Sequence, residues 1–147
     1  MSEKLQITVQ SFSYRNGYPE DPTGNGGGFV FDCRAISNPY YFEHLRFLTG
    51  KAPEMEDFFT KDTQMPCFLE SVKKIVELAV TDYLDRGFAC LQINFGCTGG
   101  QHRSVYSAEQ TAAYLRKKYP QAEVILNHLN SANWKLKNHE STLNPTL

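Results

Sequence analysis

Nine consecutive residues could do chemistry as a unit: Gly96-Cys97-Thr98-Gly99-Gly100-Gln101-His102-Arg103-Ser104. Paired glycines let a backbone approach a ligand more closely than any side chain would allow. An apolar, strand-like stretch (89–95) precedes them, and an amphipathic helical pattern (103–119) follows. The start of a helix leaves N–H groups unpaired and carries partial positive charge. Arg103 in that first turn opposes the helix dipole unless an anion sits between them. Its guanidinium is also a two-pronged donor for phosphate oxygens. The pattern therefore predicts an anion site with phosphate as the anion. Its candidate residues are Cys97, Thr98, Gly99, Gly100, Gln101, His102, Arg103 and Ser104.

Cys97 and Arg103 are separated by five residues, followed by Ser104, and this spacing resembles the phosphate loop of cysteine-dependent phosphatases. In those enzymes a thiolate attacks the bound phosphoryl group. A helix N-terminus and an arginine would lower the thiol pKa as that attack requires. Two features run against it. Gly96 stands where such enzymes usually carry histidine, and no general acid is set by spacing, although Asp21, Asp32 and Asp57 are available. Cys97 therefore has two open roles, nucleophile or ligand-lining thiol. The run also lacks the Gly-Lys-Ser/Thr ending of a Walker A motif, so ATP hydrolysis of that type is not expected.

The elements that must position this loop can be read from periodicity. Leu5, Ile7 and Val9 alternate with Gln6, Thr8 and Gln10, as in a half-buried strand. Residues 15–28 are rich in Gly, Asn, Pro and Asp and read as a long loop. Phe29-Val30-Phe31-Asp32-Cys33-Arg34 is a second strand ending in a charged pair. Asn38-Pro39 opens a turn, and residues 40–48 read as a short helix. Between 66 and 86 the positions Phe68, Val72, Ile75, Val76, Ala79 and Tyr83 keep helical spacing, with Gly87 as the stop. The apolar and Met residues of 55–68 are expected in the core. Residues 124–126 form a fourth, short strand.

Strands alternating with helices predict a single layered α/β domain over 1–129, with a mixed or parallel sheet of about four strands flanked by helices. The remainder (130–147) reads as a polar, flexible tail with Trp134 as its anchor. Ligands of such sheets lie beyond the carboxyl ends of the strands. Asp32 and Arg34 fall at such an end and are expected to share a pocket with the Cys97 loop. Arg46 and Thr49 are further candidates for its lining.

Composition narrows the function classes. The chain has 147 residues, is 41% hydrophobic and 21% charged, and carries a net charge of −1. That is an ordinary globular balance with no large nucleic-acid footprint. Four cysteines without a CxxC pair, and an N-terminus without a signal pattern, predict reduced thiols in a cytoplasmic protein. The four histidines lack metal-ligand spacing, and no apolar run is long enough to span a membrane. No cofactor is expected.

The loop Gly96 to Ser104, continued by Val105, closely resembles the signature of the C-terminal domain of the RNase adapter protein RapZ and its relatives. Further blocks agree in order: Ser11-Phe12-Ser13-Tyr14 with Gly17 and Pro19, then Phe31-Asp32-Cys33-Arg34, Asn38-Pro39, Leu45-Arg46 and Leu48-Thr49-Gly50. The relatives carry an N-terminal P-loop nucleotide-binding domain, and this chain looks like a stand-alone version of the module that follows it. The resemblance implies a non-catalytic sensor or regulatory domain that binds an amino-sugar phosphate, glucosamine-6-phosphate. It also implies RNA or protein partners and self-association. By position, Thr98, Gly99, Gly100, His102 and Arg103 would hold the phosphate with Cys97 nearby, and Asp32 would meet the sugar amine or hydroxyls. The chain departs from the pattern at Tyr40, where the relatives commonly carry a sugar-lining histidine; a phenol can hydrogen-bond or stack on a sugar but cannot take a positive charge, and Tyr40 is a ligand-binding candidate on that basis. It also lacks their basic tail, having only Lys135 and Lys137 there.

Overall fold

The computed structural model describes residues 4–25 and 27–136. Four strands form one sheet: β1 (Gln6–Ser13), β2 (Phe29–Asp32), β3 (Cys90–Cys97) and β4 (Glu123–His128), in the order β2-β3-β1-β4. Every pair is parallel, so the expected mixed or parallel sheet is a parallel one. Parallel neighbours cannot be joined by tight turns, and the connections carry the helices. These are α1 (Glu43–Arg46), α2 (Pro53–Asp62), α3 (Met65–Arg86) and α4 (Arg103–Lys118).

The alternation in β1 has a direct structural cause. Ile7 and Val9 point into a core with Leu91, Ile93 and Phe95 of β3, closed by Val72, Val76 and Val80 of α3 and Ala108, Ala112 and Leu115 of α4. Fully burying each such aliphatic side chain stabilises the fold by about 1.5–3 kcal/mol. The other sheet face is polar, and its amides pair with one another. Gln10 donates to Asn94 at 2.9 Å, and Asn94 donates to Gln92 at 3.0 Å. Helices thus cover one face, and the 15–28 loop approaches the other, Gln92 donating to the Glu20 carbonyl at 3.3 Å.

Helix α3 stops at Gly87, whose φ of +75° is the left-handed cap that glycine adopts without a Cβ penalty. Helix α2 falls within the stretch expected only as core. Its buried Met55, Phe58 and Phe59 follow i, i+3, i+4 spacing after Pro53 in the first turn, a helical signal. With Ile36, Leu45, Met65, Leu69 and Tyr106 they form a second apolar cluster beside the main core. Residues 39–48 fold as a single 3-10 turn (Pro39–Tyr41) and α1 rather than one helix. Asn38 caps that turn by accepting from the Tyr40 amide at 3.1 Å.

The expected tail begins differently. Residues 130–135 do not leave the domain but fold back as a strap over the 96–104 loop, with a 3-10 turn at Ser131–Asn133. Trp134 anchors the strap as anticipated, donating its indole N–H to the Gly100 carbonyl at 2.8 Å. Lys137 and the rest of the tail lie outside the described residues.

Candidate functional site

Ser13 and Cys97 are register partners at the carboxyl ends of the two central strands. From there β1 leaves toward β2 and β3 leaves toward β4, on opposite edges of the sheet. The 98–102 loop bridges this exit to α4, and its backbone groups divide sharply into two sets. Every carbonyl from 98 to 101 has a partner. Thr98 accepts from the Ser13 hydroxyl (2.7 Å), Gly99 from Asn130 (2.8 Å), Gly100 from Trp134 (2.8 Å) and Gln101 from the Gly50 amide (2.9 Å). No backbone N–H from 98 to 104 donates to an acceptor among the described residues. Backbone N–H groups left without a partner at the start of a helix form the kind of environment that favours an anion.

Two glycines set the loop's path. Gly100 has φ +63°, and a Cβ there would press on Ser13 and Asn130 at 3.0–3.1 Å. A Cβ on Gly96 would lie 2.4 Å from the Phe12 ring and 2.6 Å from the Tyr14 ring. The histidine that phosphatase loops place before the cysteine has no room here.

The side chains of the loop are mostly occupied in holding it. Arg103 is 5% exposed, and its Nη1 donates to the Arg34 and Ile36 carbonyls at 2.9 and 3.0 Å. Its Nε is buried without a partner. Nε2 of His102 meets the Arg46 carbonyl at 3.0 Å. Burial, the largest influence on this ring, pulls its pKa below the usual histidine value, so at neutral pH it is an uncharged donor to that carbonyl. Gln101 fastens both sides, donating to the Leu48 and Lys135 carbonyls (2.9 and 3.1 Å) and accepting from the Lys135 amide (2.8 Å). The Cys97 thiol, 2% exposed, donates to the Ser104 hydroxyl at 3.1 Å.

Above the loop lies a cavity of about 480 Å³, of the size that holds small metabolites. Its floor is Ser13, Cys97, Thr98, Gly99, Gln101, His102 and Arg103. One wall is Asn38, Tyr40, Tyr41 and Arg46; the other is Arg15, Asn16 and the strap residues Asn130, Asn133 and Lys135. Arg15, Arg46, Arg103 and Lys135 give the lining four cations, and it contains no carboxylate. None of these cations has an acidic partner among the described residues. In a chain of net charge −1 this is a strong local excess of positive charge.

Several expected site residues stand elsewhere. Asp32 and Arg34 do not line the cavity; their side chains grip each other through two hydrogen bonds of 2.9 and 2.8 Å, and the Arg34 amide adds a third at 2.9 Å, with both residues about half exposed. Those bonds from Arg34 hold the Asp32 carboxyl below the usual carboxylate range. Arg34 also stacks on the Tyr14 ring at 3.7 Å. Gly100 and Ser104 support the loop from behind rather than line the cavity, and Thr49 is likewise absent from the lining. Tyr40 and Arg46 do line it, with the Arg46 guanidinium 5.0 Å from the Tyr40 ring centre and its Nε donating to the Tyr40 carbonyl at 2.7 Å. Sequence reasoning missed Ser13, Arg15, Asn16, Asn38, Asn130, Asn133 and Lys135. The cluster of asparagines after β4 was the available signal, because short amides favour buried turns that need both a donor and an acceptor.

No helix among the described residues is long and apolar enough to cross a membrane. Among them, no group of three or more His, Cys, Asp or Glu could hold a metal.

Fold and site together define a parallel α/β domain with a cation-lined cavity at the exit of its central strands. The chain belongs to the RapZ C-terminal domain family, whose model matches residues 5–132. Among relatives, it is 44% identical over 106 residues to a nucleotide-binding protein of Cereibacter sphaeroides, covering 72% of this chain and 33% of that protein. A nucleotide-binding protein of Dinoroseobacter shibae is 42% identical over 78% of this chain and 36% of its own length. A third, from Thermosipho africanus, is 34% identical over 87% of this chain and 43% of its own length. The chain thus spans between about a third and two-fifths of these relatives.

Proposed function

We propose that this domain binds a small phosphorylated metabolite in the cavity above the 96–104 loop and acts as a regulatory module without catalysis. The observation that carries the reading is the division of the loop backbone: carbonyls 98–101 partnered, amides 98–104 without partners. The cation-only lining supports it. An amino-sugar phosphate is the form that family resemblance suggests, with the phosphate over the loop and the sugar against Tyr40. Arg103 serves as a buried positive charge that its carbonyl bonds keep in place, and its unpartnered Nε favours a nearby anion.

Phosphoester cleavage is the weaker reading. The thiol is buried and committed to Ser104, and no carboxylate lines the cavity to protonate a leaving group. The family's adapter role would draw on the exposed aromatics of the rim, Tyr41 at 75% above all, as a surface read by an RNA or protein partner. Calorimetric titration with glucosamine-6-phosphate, glucose-6-phosphate and inorganic phosphate tests the central reading. Saturable binding of the sugar phosphates, displaced by phosphate, is expected. Silence from all of them at millimolar concentration overturns it.

A further inference from the structure

We infer that Cys33 and Cys97 are an oxidisable pair, which a peroxide entering the cavity converts to a disulfide that disturbs the ligand loop. The pairing comes from the sheet. Asp32 and Gly96 are register partners of β2 and β3, and the ladder continues one residue further, the Cys33 amide donating to the Gly96 carbonyl at 2.8 Å. Gln6, the register partner of Cys90, donates to the Ala89 carbonyl in the same way. Cys33 therefore stands directly opposite Cys97. Two residues earlier Phe31 and Phe95 are partners as well, and their rings stack on the core face at 5.5 Å. Side chains return to the same face at every second residue, and both cysteines duly belong to the main core. Neighbouring strands lie about 4.7–4.9 Å apart, within the Cα separation of about 4.4–6.8 Å that a disulfide spans.

One helix holds both sulfurs. The Cys97 thiol donates to Ser104 at 3.1 Å, and the Cys33 thiol donates to Ser107, one turn further along α4, at 3.6 Å. Burial pushes the Cys33 thiol above its ordinary range, and the nearby Cys97 adds to the rise. Cys33 is fully buried, whereas Cys97 borders the cavity. That order assigns the roles. The Cys97 sulfur attacks a peroxide oxygen and the O–O bond breaks; a sulfenic acid forms, and the departing hydroxide takes the thiol proton as water. The Cys33 sulfur then attacks the sulfenic sulfur. The S–S bond forms, the S–O bond breaks, and a second water carries away the Cys33 proton. Both sulfurs are oxidised and both peroxide oxygens reduced. The disulfide removes the thiol bonds to Ser104 and Ser107. It also ties the end of β3, where the loop begins, to residues 34–36, whose carbonyls hold Arg103.

The effect on binding rests on the phosphate reading above; the crosslink does not. Hydrogen peroxide is added to the wild type and to a Cys67→Ser/Cys90→Ser variant, in which only the pair remains; Cys67 is exposed and Cys90 half-buried. Digestion and mass spectrometry are expected to give a peptide linking Cys33 to Cys97, cleaved by dithiothreitol, in both proteins. The wild-type map gives the same answer if the variant fails to fold. Cys33→Ala abolishes the link and sends Cys97 on to sulfinic acid. Calorimetry with inorganic phosphate is expected to show the oxidised protein at least about fivefold weaker than the reduced one, the equivalent of one hydrogen bond, with recovery after dithiothreitol. Sulfinic acid at Cys97 while Cys33 stays reduced in the wild type overturns the pair, as does a protein whose two thiols both remain free to alkylation after unfolding. A crosslinked protein that binds phosphate as tightly as the reduced one overturns the effect on the loop. A crosslink in a protein that binds no phosphate in either state supports the pair and overturns the phosphate reading.

Discussion

Asn130 is where the strap and the loop meet, and replacing it separates the two functions ascribed to this contact. The side chain is 6% exposed and makes three hydrogen bonds. Its Nδ2 donates to the Gly99 carbonyl at 2.8 Å, and its Oδ1 accepts from Asn16 at 2.9 Å and from Asn133 at 2.8 Å. At about 0.5–1.5 kcal/mol each, Asn130→Ala costs about 2–3 kcal/mol. For a chain of this size that lowers Tm by about 5–10 °C. Asn130→Asp keeps both acceptor bonds but turns an oxygen toward the Gly99 carbonyl and adds a negative charge to a cavity that has none. Its stability loss is comparable, whereas its phosphate affinity falls more than about tenfold, well beyond that of the alanine variant. Thermal melts paired with calorimetric phosphate titration read both quantities. If Asn130→Asp binds phosphate as tightly as the wild type, the charge logic of the cavity is wrong. If Asn130→Ala melts within about 1 °C of wild type, the strap is not fastened as described.

Other perturbations follow from the same geometry. His102 has its pKa depressed by burial, so the unfolded chain takes up a proton at a higher pH than the folded one; stability is fully present above about pH 6.5 and declines as pH falls below it, and His102→Gln flattens this part of a Tm-versus-pH profile. Gly96→Ala drives a methyl into the Phe12 and Tyr14 rings and costs about 1–3 kcal/mol in chemical denaturation, and Gly96→His gives no soluble folded protein. Asp32→Ala breaks an exposed ion pair outside the cavity, and sugar-phosphate affinity stays within about twofold of wild type by calorimetry. Cys97→Ser retains ligand binding, and the wild type shows no Cys97-dependent turnover of p-nitrophenyl phosphate; turnover that vanishes in the variant would restore the phosphatase reading.

What was legible in the sequence depended on how locally each feature is determined. The β1 alternation, the α3 spacing with its Gly87 stop, and the strand–loop–helix around Cys97 are short-range patterns. Each has its cause within a few residues, and each was readable. The parallel register of β1 and β3 joins residues more than eighty positions apart and leaves no local mark beyond the length of the connection. The site divides in the same way. The loop residues were visible as a motif, but the strap wall was not, because Asn130 and Lys135 matter only through what they touch after the chain has turned back. Asp32 and Arg34 misled for a related reason. Charged residues at a strand end suggest a site, yet two residues of opposite charge at i and i+2 satisfied each other first. Composition hid the cavity's charge altogether, since a net of −1 averages a cation-lined pocket with an acidic remainder.

Whether the loop amides hold a phosphate is read directly by an amide-resolved NMR titration of the wild-type protein with a sugar phosphate. Saturable shifts are expected to concentrate in the N–H signals of residues 98–104, the backbone donors without a partner among the described residues. Shifts confined to other parts of the chain, or none at millimolar ligand, would contradict the phosphate reading.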